Sequence, residues 1–176
     1  HFEKLGVINQ TTQLATDTQA ISDYLKNIIV EKFGKESAST HFADTRDTLC
    51  YATNDNQSAV LELLNTPADL AIVMGGKNSS NSSHLVELCE QKLPTYFIDD
   101  VNKIINENEI IKTNWKDKSE EIIQNFLPAQ ATVSILMTSG ASCPDTVVES
   151  VIRKVASFYN VEAALDDVIQ FWQAPN

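Results

Sequence analysis

Residues 70–83 read LAIVMGGKNSSNSS, a run of five apolar residues followed by nine small or polar ones. A run that is apolar on both faces is typical of a strand buried inside a parallel sheet. The glycines, serines and asparagines of residues 75–83 predict a loop after that strand. Apolar residues next along the chain predict that a helix follows; these are Leu85, Val86, Leu88 and Cys89. One strand–loop–helix unit is therefore expected here.

Short apolar runs and helical patterns alternate over the rest of the chain as well. Further strands are predicted at residues 5–8, 95–98 and 133–137, with helical patterns between and after them. This alternating order predicts an α/β fold in which parallel β-sheets are flanked by helices.

The helical patterns carry their apolar residues at helix spacing. The first helix has Thr16 or Asp17 as its expected N-cap, and one of its faces is apolar, comprising Ile21, Leu25, Ile28, Ile29 and Phe33. A second helix is expected directly after Cys50, and a long one from Asp145. A short helix is predicted to present Ile122, Ile123 and Phe126, and residues 161–176 form an amphipathic tail.

Composition excludes several classes of partner. The 176 residues carry 24 Asp and Glu against 13 Lys and Arg, a formal net charge of −11, and 43% are apolar. An acidic chain is a poor ligand for a nucleic-acid backbone or an anionic membrane surface, since both are bound through Lys and Arg. No apolar run approaches the ~20 residues that a membrane-spanning helix needs. We therefore expect a globular protein that binds neither nucleic acid nor membrane.

The ends and the cysteines suggest where the chain comes from. It starts without Met or a signal-peptide pattern and runs directly into a predicted strand, as expected of a piece of a longer protein. Cys50, Cys89 and Cys143 are odd in number and widely spaced, which predicts free thiols in a reducing compartment, the cytoplasm by default.

Three predicted loops share one composition. Residues 9–12, 75–83 and 138–144 each follow a strand, are rich in Ser, Thr, Asn or Gly, and precede a helix. Loops at the carboxyl ends of parallel strands bind ligands, and helix N-termini attract anions. Because Lys77 is the only basic residue in the three loops, they predict a phosphate or diphosphate pocket built from neutral donors. The alternative is that these residues are ordinary helix caps and turns.

The cysteines differ in what their positions predict. Cys89 lies on the apolar face of a helix and is expected in the core, whereas Cys143 either lines a site or packs beside it. Cys50 lies where an extended stretch meets a helix, and a helix N-terminus stabilises a thiolate. Cys50 is therefore the best candidate for a metal ligand or a nucleophile. The three histidines have no metal-ligand spacing among them.

Four motifs resemble those of the LytB family, the 4-hydroxy-3-methylbut-2-enyl diphosphate reductases. Residues 75–85 are similar to its signature loop, and residues 10–12 to its Gln-Thr-Thr motif. Residues 48–53, with Gln57, resemble its third cysteine motif. Residues 138–145 resemble its Gly-Ala-Ser-x-Pro motif, and the four motifs occur in the family's order.

The resemblance implies a fold of three similar α/β domains in a trefoil-like arrangement, of which this chain covers only the later part. Residues 1–46 would be the end of the middle domain, 47–160 the last domain, and 161–176 a C-terminal tail. The other two cluster cysteines, the diphosphate-binding histidines and the proton-relaying glutamate of the family belong to an upstream portion. The resemblance therefore implies no catalytic residue within this chain and no activity of the piece alone.

The same resemblance implies an iron–sulfur oxidoreductase of isoprenoid biosynthesis by the methylerythritol phosphate pathway. The family reduces an allylic hydroxymethyl diphosphate to isopentenyl and dimethylallyl diphosphate, with electrons from a donor protein such as ferredoxin or flavodoxin. A four-iron–four-sulfur cluster is held by three cysteines, one of which would be Cys50. The residues implied in substrate binding are Thr11, Ser79, Ser80, Asn81 and Ser142.

Two other functions are compatible with the residues. A stand-alone diphosphate-binding α/β module without catalysis would use the same loops. A thiol enzyme with Cys50 as its nucleophile is the third possibility, although no histidine lies near Cys50 in a recognised motif.

Overall fold

The computed structural model of the protein describes residues 3–43, 50–130 and 132–173. The described helices are α1 (Ala15–Phe33), α2 (Ala38–His41), α3 (Tyr51–Leu63), α4 (Ser80–Glu90), α5 (Asp145–Phe158) and α6 (Glu162–Gln173). The strands are β1 (Leu70–Met74), β2 (Thr95–Ile98), β3 (Glu109–Thr113), β4 (Glu120–Gln124) and β5 (Ile135–Ser139). The chain divides into two compact units, which meet in sequence between Ser58 and Ala59.

The second unit is built on a parallel sheet with the strand order β2-β1-β5. In its register, Ile72 of the central strand lies opposite Tyr96 of β2 and Met137 of β5. All five residues of β1 are buried, as expected for a central strand that is covered on both faces. The predicted α/β fold with a parallel sheet is confirmed, whereas the three-domain trefoil arrangement and the domain boundary after residue 46 remain predictions.

The core of this unit joins the sheet to helix α5 and to the hairpin that precedes β5. Its buried members are Leu70, Ile72, Met74, Ile98, Ile104, Ile110, Phe126, Leu127, Val151 and Val155. α5 begins at Asp145 as predicted, and β5 runs over Ile135–Ser139, two residues later than the predicted strand at 133–137. Because β5 extends to Ser139, the loop that follows begins at Gly140, next to the end of β1.

The region around Ile122 is a β-hairpin, so the predicted short helix was wrong. β3 and β4 pair in antiparallel fashion, with Ile110 opposite Ile123 and Ile111 opposite Ile122. Ile122 is 60% exposed, whereas Ile123 packs against the core, which is the alternation of a strand and not of a helix. Cross-strand pairs of β-branched residues stabilise this arrangement.

The first unit differs from its sequence prediction at two places. The predicted strand at residues 5–8 is reduced to a single parallel bridge between Leu5 and Phe42. Helix α1 begins after Leu14, which occupies the N-cap without a side-chain hydrogen bond, so neither Thr16 nor Asp17 caps it. Among the described residues, no helix is long and apolar enough to cross a membrane.

Candidate functional site

The first turn of α4 is formed by residues that the sequence analysis assigned to a loop. The helix begins at Ser80, and Ser79 is its N-cap. The Ser79 hydroxyl accepts a hydrogen bond from the backbone N–H of Ser82 at 3.2 Å, and the Ser79 carbonyl accepts from Ser83 N–H at 3.0 Å. This is the ordinary capping geometry for serine. It fixes a helix N-terminus, with its partial positive charge, at the carboxyl end of β1.

Close packing against two glycines holds this turn on the sheet. A Cβ atom added at Gly75 would lie 2.2 Å from Ser82 Oγ, and one added at Gly140 would also lie 2.2 Å from Ser82 Oγ. Gly75 follows β1 and Gly140 follows β5, and the two are linked through a backbone bond from Gly140 N–H to the Met74 carbonyl at 2.9 Å. The start of α4 therefore lies where the loops after β1 and β5 meet.

Asn81, in the same turn, carries the most informative side chain of this region. It is only 6% exposed, and neither its amide nitrogen nor its amide oxygen has a hydrogen-bond partner among the described residues. The neighbouring Ser82 hydroxyl is 1% exposed and also has no partner among them. Buried polar atoms are rarely left unpaired, because desolvation without a replacement hydrogen bond costs about 1–3 kcal/mol. Orphaned donors beside a helix N-terminus fit a polar, anionic ligand.

The other predicted phosphate-binding residues are placed less tightly. Ser80 is half-buried on the first turn of α4. Ser142 is exposed in the tight turn after β5, which is closed by a hydrogen bond from Cys143 N–H to the Gly140 carbonyl at 2.8 Å. The structure thus groups Ser79, Ser80 and Asn81 in one turn and places the loop of Ser142 beside that turn through Gly140.

Thr11 and Cys50 come together in the first unit. The backbone N–H of Cys50 donates to the Thr11 carbonyl at 3.0 Å, and the Cys50 carbonyl accepts from Asn54 N–H at 2.9 Å as α3 begins. The side chains of Thr11 and Cys50 are both exposed. The position of Cys50 directly before a helix is confirmed.

A buried glutamine supports this arrangement from inside α3. The Gln57 side chain donates to the Gln13 carbonyl at 3.0 Å and accepts from Ala15 N–H at 3.2 Å. It is 3% exposed, so both bonds are shielded from water. Gln57 therefore ties the helix that follows Cys50 to the segment that follows Thr11.

The thiols differ in how well they suit a metal. Cys89 is fully buried, and burial, followed by the charge of Glu90, raises the pKa of its thiol to about 11. Burial, followed by the charge of Asp145, also raises the pKa of the half-buried Cys143. The described residues contain no group of three or more His, Cys, Asp or Glu side chains that could hold a metal ion. Cys50, by contrast, is an exposed thiol whose backbone is fixed by hydrogen bonds, and its role as a metal ligand remains a prediction.

Sequence reasoning missed two contributors to this region. Ser82 was treated as one more polar loop residue, although a glycine after each of the two strands is a signal that something approaches the backbone closely. Lys118, from the tip of the β3–β4 hairpin, reaches Ser83 of α4 with its ammonium nitrogen at 3.4 Å from the hydroxyl. Its position far along the sequence gave no signal of this contact.

Comparison with known proteins agrees on one family. Residues 1–156 match the family model described as LytB protein. The 4-hydroxy-3-methylbut-2-enyl diphosphate reductase of Rippkaea orientalis is 38% identical over 162 residues, which are 92% of this chain and 40% of that protein. The reductase of the same name from a Synechococcus strain is 40% identical over 159 residues, 89% of this chain and 39% of the relative. The chain thus spans about two fifths of the length of the curated relatives that it matches.

A solved structure supports the fold. The E-1-hydroxy-2-methyl-but-2-enyl-4-diphosphate reductase from Plasmodium falciparum aligns with a TM-score of 0.58 and 23% identity. The alignment covers 87% of this chain and 39% of that one. The likeness extends to the α/β architecture of both.

Proposed function

The chain belongs to the LytB protein family, and on that premise we propose that it is the C-terminal part of a 4-hydroxy-3-methylbut-2-enyl diphosphate reductase. In the proposed reaction, two electrons and two protons convert the allylic hydroxymethyl diphosphate to isopentenyl or dimethylallyl diphosphate. The carbon–oxygen bond breaks, a carbon–hydrogen bond forms, and the hydroxyl leaves as water. The activity for which these relatives are named supports the proposal.

Among this chain's own residues, the strongest support for the proposal is the buried Asn81 amide, which has no hydrogen-bond partner among the described residues. Asn81 is buried at the N-terminus of α4 with two unpaired polar atoms, between Ser80 and the close-packed Ser82. A diphosphate would accept from the amide nitrogen and from backbone N–H groups of this turn. Ser79, Ser80 and Ser142 would add hydroxyl donors. Thr11 is proposed as a further substrate-binding residue from its motif alone.

Cys50 would hold one corner of a four-iron–four-sulfur cluster. When bound, such a cluster supplies the electrons for the reduction. This chain's residues would bind and orient the diphosphate end of the substrate, and the remaining cluster ligands and the proton donor would come from elsewhere in the reductase. A ferredoxin- or flavodoxin-type donor and a reducing compartment, the cytoplasm, complete the proposal, and the free thiols of Cys50, Cys89 and Cys143 support such a compartment.

The proposed domain organisation follows the motifs. Residues 1–46 would close the middle α/β domain of the reductase, residues 47–160 would form its last domain, and residues 161–176 its tail.

The cluster part of the proposal is tested in the complete reductase that carries this chain. We expect Cys50→Ser to abolish the cluster absorbance after anaerobic reconstitution with iron and sulfide. Cys89→Ala serves as the matched control, because Cys89 is a fully buried core residue. Wild-type absorbance and activity in Cys50→Ser would remove Cys50 from the site.

The diphosphate part is tested by calorimetry with inorganic diphosphate. Asn81→Ala is expected to weaken binding roughly tenfold or more, since it removes a buried amide N–H donor from the turn that would hold a charged ligand. Asn108→Ala, at an exposed asparagine of the same unit, should bind as the wild type does. Equal affinity of the two variants would contradict the assignment of Asn81.

A second candidate function is a diphosphate-binding module without catalysis. It is favoured by the observation that Ser79, Ser80, Asn81 and Ser142 all belong to the second unit. The 176-residue chain would then bind diphosphate saturably and lose binding in Asn81→Ala, with no effect of Cys50→Ser on its function. A stoichiometric cluster and reductase activity that both depend on Cys50 in the complete protein would decide against the module.

A further inference from the structure

A groove lies beside the first turns of α4, against the tip of the β3–β4 hairpin. Its volume is about 460 Å³, and its lining residues are Asn78, Ser80, Ser83, His84, Trp115, Lys116 and Lys118. Hydroxyl and amide groups come from the α4 side, and two lysines come from the hairpin. The groove therefore combines neutral donors with two positive charges in addition to that of Lys77, the only basic residue of the loops after the strands.

The hairpin tip holds Lys118 in an unusual backbone conformation. Lys118 has φ of 64°, in the left-handed region that glycine and asparagine favour. The turn around it is closed by hydrogen bonds from Lys118 N–H to the Asn114 carbonyl at 2.9 Å and from Asn114 N–H to the Ser119 carbonyl at 2.8 Å. The left-handed backbone conformation is less favourable for a lysine than for a glycine. We therefore looked for a function of the Lys118 side chain.

The ammonium group of Lys118 contacts both its own hairpin and the first turns of α4. It donates to the Trp115 carbonyl, and its nitrogen lies 3.4 Å from Ser83 Oγ. Ser83 Oγ in turn donates to the carbonyl of Ser79, the N-cap residue, at 3.0 Å. These contacts account for two of the three N–H donors of an ammonium group.

The charge of Lys118 is not neutralised by a neighbour. Within the part of the chain that the structure describes, neither Lys116 nor Lys118 has a carboxylate at ion-pair distance. By contrast, Lys112 on β3 pairs with Glu90 at the end of α4 at 3.1 Å. The hairpin thus uses Lys112 to attach to α4 and leaves the charge of Lys118 available for an anion.

We propose that Lys118 is an anion-binding residue that supplies positive charge to a diphosphate at the N-terminus of α4. The inference rests on the proposed function, which places a diphosphate at this turn. Neutral donors, a helix dipole and the single charge of Lys77 leave much of the negative charge of a diphosphate uncompensated, and a second lysine near the turn reduces that deficit. Lys118 would be recruited from a hairpin that none of the four family motifs includes.

The test compares Lys118→Met with Lys118→Arg in the complete reductase. Calorimetry with inorganic diphosphate is expected to show roughly tenfold weaker binding for Lys118→Met and near-normal binding for Lys118→Arg, because arginine keeps the charge. The KM for the substrate should rise in Lys118→Met with little change in kcat, since the contact acts equally on bound substrate and transition state. Equal affinity of Lys118→Met and wild type would overturn the inference.

Lys112→Met and Glu90→Gln control for a purely structural role of the hairpin. Both weaken the attachment of the hairpin to α4, and neither residue lines the groove. Glu90 also accepts a hydrogen bond from the groove residue Trp115 at 3.0 Å, which a glutamine can still accept, so we expect normal diphosphate affinity. If these two variants weaken binding as much as Lys118→Met does, the hairpin only stabilises α4, and the inference about Lys118 is wrong. If the wild type binds no diphosphate, both the proposed function and the inference about Lys118 are wrong. Binding that Asn81→Ala abolishes and Lys118→Met does not would overturn the role of Lys118 alone.

Discussion

The two helices that begin with candidate site residues start in opposite environments. At the start of α4, Asn81 and Ser82 are 6% and 1% exposed, and Ser82 packs against Gly75 and Gly140 at the ends of two strands. At the start of α3, Cys50 is exposed and Tyr51 is 88% exposed. Both helices offer unpaired N–H groups and a positive dipole end at these positions.

In the proposed site, the buried start of α4 and the exposed start of α3 would therefore contribute in different ways. The α4 turn is fixed by packing within its own unit, so its donors are in place before a ligand arrives, which lowers the cost of ordering them on binding. The Cys50 thiol is exposed, which is compatible with the proposed cluster whose other ligands would come from elsewhere in the reductase. Its helix is held instead by Gln57, two turns further along.

The largest loss of stability is expected from a side chain at Gly140, where the lack of a Cβ atom lets Ser82 pack closely. In Gly140→Ala, the new methyl group would lie 2.2 Å from Ser82 Oγ, so the buried Ser82 side chain must move, together with the helix start where the packing leaves that side chain no room. We expect the free energy of unfolding to fall by about 3 kcal/mol, the upper part of the range for overpacking. Urea denaturation measures this loss, and diphosphate affinity should fall with it.

Two variants make that prediction specific. Gly76→Ala is the control, because a Cβ atom there meets nothing within 4 Å, and stability should change by less than about 0.5 kcal/mol. Ser82→Ala should rescue Gly140→Ala, since without Oγ the nearest contact becomes Ser82 Cβ at 3.4 Å. A double variant no more stable than Gly140→Ala would show that α4 is not held by this contact.

Burial of α4 also predicts a loss of stability at alkaline pH. Because burial and then the charge of Glu90 raise the pKa of Cys89 from 9.0 to about 11, the unfolded chain releases this proton at lower pH than the folded protein. Stability from Cys89 is therefore complete below pH 9 and is lost between pH 9 and 11, by about 2 kcal/mol. Denaturant unfolding curves measured from pH 9 to 11 should show a smaller fall in the free energy of unfolding for Cys89→Ala than for the wild type. Parallel declines would contradict the prediction.

The parts that could be predicted from sequence are those decided locally. The strand Leu70–Met74 is apolar on both faces, and Ser79 is a favoured cap, so the strand and the helix after it follow from neighbouring residues. The position of Cys50 before α3 was predictable for the same reason. By contrast, Ile122, Ile123 and Phe126 fit a helical spacing, and only their pairing with β3 decides for a strand.

The closed form of the candidate site depends on contacts that no local pattern encodes. Gly140 meets Ser82, and Lys118 meets Ser83, across long stretches of sequence. Periodicity likewise predicted the apolar face of α1 without showing what covers it. Ile21 and Ile28 on that face are 54% and 41% exposed in the structure. Sequence therefore identified the candidate residues, and the packing that positions them required the fold.

At the exposed helix start, Gln57→Ala is expected to have an intermediate effect. It leaves the Gln13 carbonyl and the Ala15 N–H without their buried partner, so stability should fall by about 1.5 kcal/mol. Hydrogen exchange at Ala15 N–H should become faster. Gln19→Ala, which removes an exposed bond to Asp23, serves as the control and should change stability by less than about 0.5 kcal/mol. Equal effects would mean that Gln57 does not hold the α3 segment.

The smallest change in stability is expected at Ser79, where two variants distinguish helix capping from anion binding at the start of α4. Ser79→Ala removes the bond that Ser82 N–H donates to the cap and should cost about 1 kcal/mol. Ser79→Asp restores a cap acceptor and should recover that stability, but its carboxylate would repel a diphosphate at the same turn. Thermal unfolding and calorimetry with diphosphate, run on both variants, test the two effects separately. If Ser79→Asp binds diphosphate as tightly as the wild type, the closed start of α4 is a structural feature only, and its contrast with α3 has no bearing on the ligand.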